Sequence, residues 1–377
     1  MLKFKAGAWT NQGYYKAFVP NLINRRWEIS DPEIIHLLSK ADLELGRLDA
    51  YSGYVNIDLF ISMHLTKEAV ESNRIEGTKT EFAEAFMQQD ELPNDRQQDW
   101  EEVTNYIAAM KHAIARLSEL PISSRLIREA HGMLLAGVRG QHKLPGEFRS
   151  SQNWIGGASI SDAVFIPPPP SDLGRLLSDL EYFANDQEHP LPDLLRAAIM
   201  HYQFETIHPF LDGNGRVGRL LITLYLISTG TLRSPVLYLS DFFERNRRLY
   251  YDNLAGVHSN DNLKQWLRFF LVGVAETARD GIRTFDGILK LSKEVDGKLV
   301  TMGRKAIDAH TLLQALYARP VITITEAATL IGKSMNTSSR LIQALQETGI
   351  LQERPTSGRE KLFEFGEYLR LFSQPGE

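Results

Sequence analysis

His208-Pro-Phe-Leu-Asp-Gly-Asn-Gly-Arg-Val-Gly-Arg219 is the stretch on which the reading of this chain turns. It gathers a base, a metal-binding carboxylate, a glycine-rich turn and two arginines into one short window. Gly213 and Gly215 let successive backbone N–H groups turn toward one centre, and the apolar run Leu220 to Ile227 behind them predicts a helix whose N-terminus points there. A polyphosphate suits such a spot. Asn214 can donate its side-chain amide to a phosphoryl oxygen, while Arg216 and Arg219, on the first helical turn, share a face and can grip further phosphates. Asp212 is acceptor-only when ionised and flanks the turn, which suits a Mg²⁺ ion bridging two phosphates. His208 lies on a loop stiffened by Pro209, and imidazole is the side chain suited to take a proton from an attacking hydroxyl. Phe210 is expected to point inward as the loop's apolar anchor. Asp-Gly-Asn-Gly alone is ordinary turn chemistry. All these residue types in one window, followed by an apolar helix, favour a phosphate-transfer site.

The window resembles the signature of the Fic family (filamentation induced by cAMP), HPFx[D/E]GNGRxxR, and fills every specified position. The resemblance implies transfer of AMP from ATP to a Ser, Thr or Tyr hydroxyl of a target protein, with pyrophosphate leaving. It implies His208 as the base, Asp212 as the Mg²⁺ ligand, and Asn214 with the amides of Gly213 and Gly215 around the α-phosphate. Arg216 and Arg219 would hold the outer phosphates, with Val217 and Gly218 in the same nucleotide-binding run. The related Doc toxins, which phosphorylate, differ at the position of Gly213 or Gly215; this chain keeps both glycines.

Upstream, Asp58 to Glu76 carries Leu59, Phe60, Met63, Val70 and Ile75 among polar residues and ends at Gly77, the pattern of a helix with a glycine stop. Ser72 and Glu76 share a face of its last turn. Ser72-Asn-Arg-Ile-Glu-Gly77 resembles the inhibitory motif [S/T]xxxE[G/N] of Fic proteins that carry an N-terminal inhibitory helix. The partner implied is Arg219: an ion pair from Glu76 would occupy the arginine meant for the γ-phosphate and keep the resting enzyme nearly silent. The resemblance also admits a role for this glutamate in removing AMP from a modified target.

Gly146 to Gly157, followed by Ala163 to Pro170, reads as two short strands around a glycine-containing loop. It is either a plain surface hairpin or, as the resemblance implies, a flap that pairs with an extended target segment and brings Ile155, Gly156, Gly157 and Ala158 near the nucleotide. Pro167 to Pro170 read as a stiff connector. Tyr250 and Tyr251 fall on a predicted helix, where each is either core or a stacking partner for adenine. His201, on the helix leading into the loop, is expected to be packed or hydrogen-bonded rather than a second base.

The 377 residues are 43% hydrophobic with a net charge of −5 and no cysteine. That bounds the chain to two or three globular domains and excludes disulfides, zinc thiolates and cysteine nucleophiles. The mild acidity argues against a general nucleic-acid binder, no apolar run reaches membrane-spanning length, and the N-terminus lacks a signal-peptide pattern. A cytoplasmic location, where ATP and Mg²⁺ are at hand, is the expectation. The predicted architecture is mainly α: a helical region over 1–99 with the inhibitory helix at about 58–77, a Fic core over 100–290 with its small β-hairpin flap, and a third domain over 300–377. In the last, helices over Ala306 to Ala318, Glu326 to Ile331 and Asn336 to Glu347, a short strand at Ile322 to Thr325, and two strands around a Ser-Gly turn between Gly349 and Phe365 resemble a winged helix-turn-helix. Arg340, Arg354, Arg359 and Lys361 could meet phosphates there, yet from Ala306 onward seven Lys and Arg against eight Asp and Glu leave no basic footprint. DNA, a protein partner and a second copy of the chain all remain open as its ligand.

Overall fold

Strands β1 (Gly7–Asn11) and β2 (Lys16–Pro20) pair antiparallel, from Gly7↔Pro20 to Asn11↔Lys16. The purely helical prefix expected over the first hundred residues is therefore corrected. Trp9 and Phe18 face each other across this hairpin with ring centroids 5.3 Å apart, and the pair closes over Phe165. The computed structural model describes residues 4–53, 57–138, 140, 142–356 and 360–373.

Helices account for most of the rest. Helix α1 (Pro32–Ser52) opens on an Asp31 cap whose carboxylate accepts the Glu33 and Ile34 N–H groups, with proline at the first position. Helix α2 (Ile57–Ile75) follows and stops at Gly77, whose φ of +100° a side chain would resist. Leu59 and Phe60 belong to it, but their side chains lie outside the described residues. Helices α3 (Gln97–Arg116), α4 (Ser124–Leu134) and α5 (Pro170–Asn185) surround the central pair, α6 (Asp193–Ile207) and α7 (Asn214–Ser228). Both central helices are buried nearly all round, which is why their sequences are apolar on every face rather than striped. Helices α8 (Ser240–Arg245) and α9 (Arg247–Asn260) lead into α10 (Leu263–Val300), which packs along α1 and runs straight through the boundary expected near 290.

Beyond it come α11 (Ala306–Ala318), β3 (Val321–Thr323), α12 (Ile324–Ile331), α13 (Met335–Glu347), β4 (Gln352–Arg354), β5 (Leu362–Glu364) and α14 (Gly366–Ser373). The strands form an antiparallel sheet in the order β3-β5-β4. Strand β3 ends at Thr323, not Thr325, because Thr323 and Glu326 close a capping box that starts α12. The turn expected at Ser357 and Gly358, with Arg359, lies outside the described residues. This C-terminal part rests on α2 and the segment after it: Ser62 donates to the Ala318 carbonyl, Arg319 to the Phe86 carbonyl, and Arg354 to Glu81. No described helix is long and apolar enough to cross a membrane.

Candidate active site

The turn between α6 and α7 holds the signature residues, and its shape follows from two breaks in helical geometry. His208 caps α6 in the left-handed conformation at φ 49°, and Gly213 starts α7 at φ 75°. Helix α7 thus begins at Asn214, with Arg216 and Arg219 in its first two turns as expected, and its unpaired N–H groups face the loop. Phe210 is fully buried, its ring stacked on His131 at 3.7 Å. Asn214 braces the loop from within: its Oδ1 accepts the Phe210 N–H at 2.8 Å and its Nδ2 donates to the Phe210 carbonyl at 2.9 Å.

Three residues that the sequence pattern did not single out fix this turn from outside. His131 accepts the Gly146 N–H on Nδ1 and so donates from Nε2 to the Asp212 carbonyl at 3.0 Å; burial holds its pKa down at about 4 and keeps it neutral. Arg149 donates to the carbonyls of His208 at 2.9 Å and Pro168 at 2.6 Å, tying the loop to the chain after the predicted flap. Asn153 donates to the Phe210 carbonyl at 2.8 Å.

His208 turns Nδ1 toward the Glu205 carbonyl at 3.3 Å. A carbonyl can only accept, so Nδ1 carries the proton and Nε2 is left as the acceptor. Burial, helped by the positive field of Arg149, lowers the pKa to about 4, so the ring is neutral at physiological pH. It lines a cavity of about 590 Å³ together with Glu76, Glu205, Arg219, Tyr251 and Ile155.

Arg219 is the cation of that cavity, and α2 holds it. Its Nε donates to the Ser72 hydroxyl at 2.9 Å, and its Nη2 to the Ser72 carbonyl at 2.8 Å and to Glu76 Oε1 at 2.7 Å. Gly215 lets the pair close, since a Cβ there would run into both Glu76 and Arg219. Burial pushes the Glu76 carboxyl up, but the charge and hydrogen bond of Arg219 outweigh it and hold the pKa below the usual value. Arg216 is turned elsewhere, to Glu102 at 3.0 Å and Asn73 at 3.3 Å, with Asp212 at 3.6 Å. The two arginines thus stand on different acidic partners rather than side by side.

Among the described residues, no three His, Asp or Glu side chains gather as a metal cage. Asp212 is the only signature carboxylate: Oδ1 accepts the Gly213 N–H at 2.6 Å, and the side chain is 43% exposed. One partly open carboxylate fits an ion such as Mg²⁺, which keeps waters and takes its other ligands from phosphates.

The remaining expected contacts divide. Tyr250 and Tyr251 both line the cavity; Tyr251 is half exposed, whereas Tyr250 is buried with its hydroxyl donating to His201 Nε2 at 2.8 Å. His201 gives its other nitrogen to the Gly218 carbonyl at 2.9 Å, so it is the packed histidine expected. Val217 is core. Ile155 and Gly156 line the cavity; Gly157 and Ala158 turn away, and the Ala158 N–H bonds Asp162 at 2.8 Å. The two strands expected around them reduce to a single bridge, Ile155↔Phe165, because Gly156 and Gly157 both take positive φ. Glu102 and His131 gave no local signal: each is distant in sequence from the group it serves.

Comparison with known proteins places the fold. The family description Fic/DOC family N-terminal matches residues 35–115, and Fic/DOC family matches residues 121–226. The chain is 31% identical over 170 residues to a protein adenylyltransferase Fic of Drosophila grimshawi, which covers 45% of this chain and 32% of that one. It is 34% identical over 174 residues to that of Aedes aegypti, covering 45% and 31%. The chain thus spans about a third of the length of these curated relatives. In fold it is similar to a Fic family protein from Desulfovibrio desulfuricans, with a TM-score of 0.58 at 19% identity over 90% of this chain and 98% of that one. Fic-1 of C. elegans gives a TM-score of 0.51 at 22% identity over 69% and 75%. With both domain descriptions matched in order along a mainly helical fold, the chain belongs to the Fic/DOC family.

Proposed function

We propose that this protein transfers AMP from ATP to Ser, Thr or Tyr hydroxyls of target proteins, itself among them, and that Glu76 restrains the reaction. The observation that carries the reading is the meeting of two groups at one cavity: His208 with Nε2 free to accept, and Arg219 tied to Glu76 at 2.7 Å. The target hydroxyl gives its proton to His208 Nε2 while its oxygen bonds the α-phosphorus. The bond from that phosphorus to the bridging oxygen breaks, and pyrophosphate leaves with the electron pair. The first N–H groups of α7 face the phosphates, and Asn214 acts by holding the loop that presents them. Asp212 would hold Mg²⁺, which when bound neutralises phosphate charge. Arg219 takes the γ-phosphate only after Glu76 lets go, and until then ATP cannot lie in line for attack.

Removal of AMP from a modified protein is a second reading, favoured by the ionised Glu76 standing in the same cavity as His208, where it can polarise a water. We infer further that the C-terminal unit is winged-helix-like and serves protein contact rather than DNA. Arg354 is committed to Glu364 and Glu81, and Lys361 to Glu353, which leaves Arg340 as the cation of the expected set without an ion pair among the described residues. Incubation of Glu76→Gly protein with α-labelled or γ-labelled ATP tests the chemistry. Label from the α-position alone supports AMP transfer; label from the γ-position would make the protein a kinase.

A further inference from the structure

Glu205 stands on the last turn of α6, one turn before His208, and its side chain lines the same cavity. Its Oε1 is closed off from solvent and has no hydrogen-bond partner among the described residues. The nearby charges do not serve it: Arg219 is engaged with Glu76 and Ser72. The Tyr250 hydroxyl is bonded to His201. The room for this carboxyl is provided by Gly218 of α7, where a Cβ would collide with it. Burial pushes its pKa up to about 7 against the pull of Arg219, so the site carries a strained acid beside a neutral base. A buried acceptor without a donor is a penalty that folding alone gives no reason to keep.

We infer that Glu205 selects the nucleotide, its carboxyl accepting a hydrogen bond from a hydroxyl or amine of the nucleoside that forms only when the cavity is filled. The inference rests on the reading of this cavity as the ATP site. ATP offers donors in two places, the sugar hydroxyls and the exocyclic amine of the base; its phosphates offer none and are repelled by a carboxylate. The wall of the cavity fits that division. Arg219 and the start of α7 mark the phosphate side, whereas Ile155 and Tyr251 supply apolar and aromatic surface for sugar and base. Glu205 is thus a specificity residue: it acts on the binding of the nucleoside and not on the step at the α-phosphorus.

The test uses the full chain carrying Glu76→Gly, with Glu205 intact, Glu205→Gln or Glu205→Ala, each checked for cooperative unfolding. ATP, 2′-deoxy-ATP, 3′-deoxy-ATP and the triphosphate of purine riboside, which lacks the amine, are titrated by calorimetry and then used in transfer assays. Glu205→Ala is expected to raise Kd and KM for ATP about tenfold while kcat moves by about twofold or less, and Glu205→Gln, which keeps an acceptor oxygen, to recover part of the loss. One analogue should bind the Glu205 form about tenfold more weakly than ATP does and lose nothing further in Glu205→Ala. Its identity assigns the contact to sugar or base. Equal losses for ATP and all three analogues in Glu205→Ala would overturn the inference, making Glu205 a general electrostatic neighbour of Arg219; so would no loss at all. Failure of the ATP reading is separately visible, because the Glu76→Gly protein with Glu205 intact would then bind no ATP, and the inference falls with it.

Discussion

Replacing Glu76 by Gln should make the protein less stable and more active at once. Arg219 is 2% exposed and has one carboxylate in hydrogen-bond contact, Glu76 at 2.7 Å; its other recorded hydrogen bonds are to the neutral Ser72 oxygens. Stripping the partner from a fully buried pair costs about 3–5 kcal/mol. Glu76 is itself 36% exposed, so solvent screens the pair and the cost is discounted to about 1–2 kcal/mol. For a chain of this size that lowers Tm by roughly 1–3 °C. The same change frees Arg219 for the γ-phosphate, so Mg-ATP should bind Glu76→Gln about 5- to 30-fold more tightly than it binds the unmodified protein. At saturating nucleotide the gap in stability should then close, because binding to the folded state adds RT ln(1 + [L]/Kd) and the tighter Kd returns the same roughly 1–2 kcal/mol. Thermal unfolding of both proteins with and without Mg-ATP reads each part. An unchanged Tm without nucleotide, together with equal shifts on adding it, would refute the view that Arg219 is held away from ATP by Glu76.

Two other outcomes follow from the loop. Because burial holds His208 near a pKa of about 4, the base stays neutral over the working range. Transfer by the Glu76→Gly protein should therefore be level from about pH 8 to about pH 5 and decline only as pH falls through about 4, whereas a half-point near 6.5 would mean that the ring is solvated in the working state. Arg149→Lys should cost about 2–4 kcal/mol of folding stability in denaturant titration and reduce transfer more than ATP binding. Its planar fork reaches the His208 and Pro168 carbonyls together, which an ammonium cannot do. Full activity of that variant would contradict the anchoring role.

The candidate site was legible where its parts are adjacent in sequence. His208, the glycines and Arg219 sit in one window, and the resemblance of Ser72 to Gly77 to the Fic inhibitory motif implied for Glu76 the partner, Arg219, that it has in the structure. Supporting residues were hidden because their partners are remote: Glu102 meets Arg216 across 114 positions, and Arg149 meets His208 across 59. Helix α7 keeps Gly215 and Gly218 in its first turns although both disfavour helix locally, because burial of the whole helix overrides propensity. The N-terminal hairpin was missed for a related reason. Strand β1 has no buried residue and so no alternating pattern, and its pairing depends on Phe18 packing against Phe165 far along the chain. Helix α14 is short, and what fixes it is the burial of Tyr368 and Phe372 against other elements, not a start signal. By contrast α11, with a strong local pattern, runs between the bounds that its sequence suggests.

Restraint of an AMP transferase by its own glutamate is tested most directly by exposing three proteins to α-labelled ATP and Mg²⁺: the unmodified chain, Glu76→Gly, and Glu76→Gly/His208→Ala. Label on the Glu76→Gly protein, at least tenfold weaker on the unmodified chain and absent from the double variant, is the predicted result, about 1.4 kcal/mol or more of restraint. Equal label on the first two would remove the restraint, and label surviving in the double variant would remove His208 as the base.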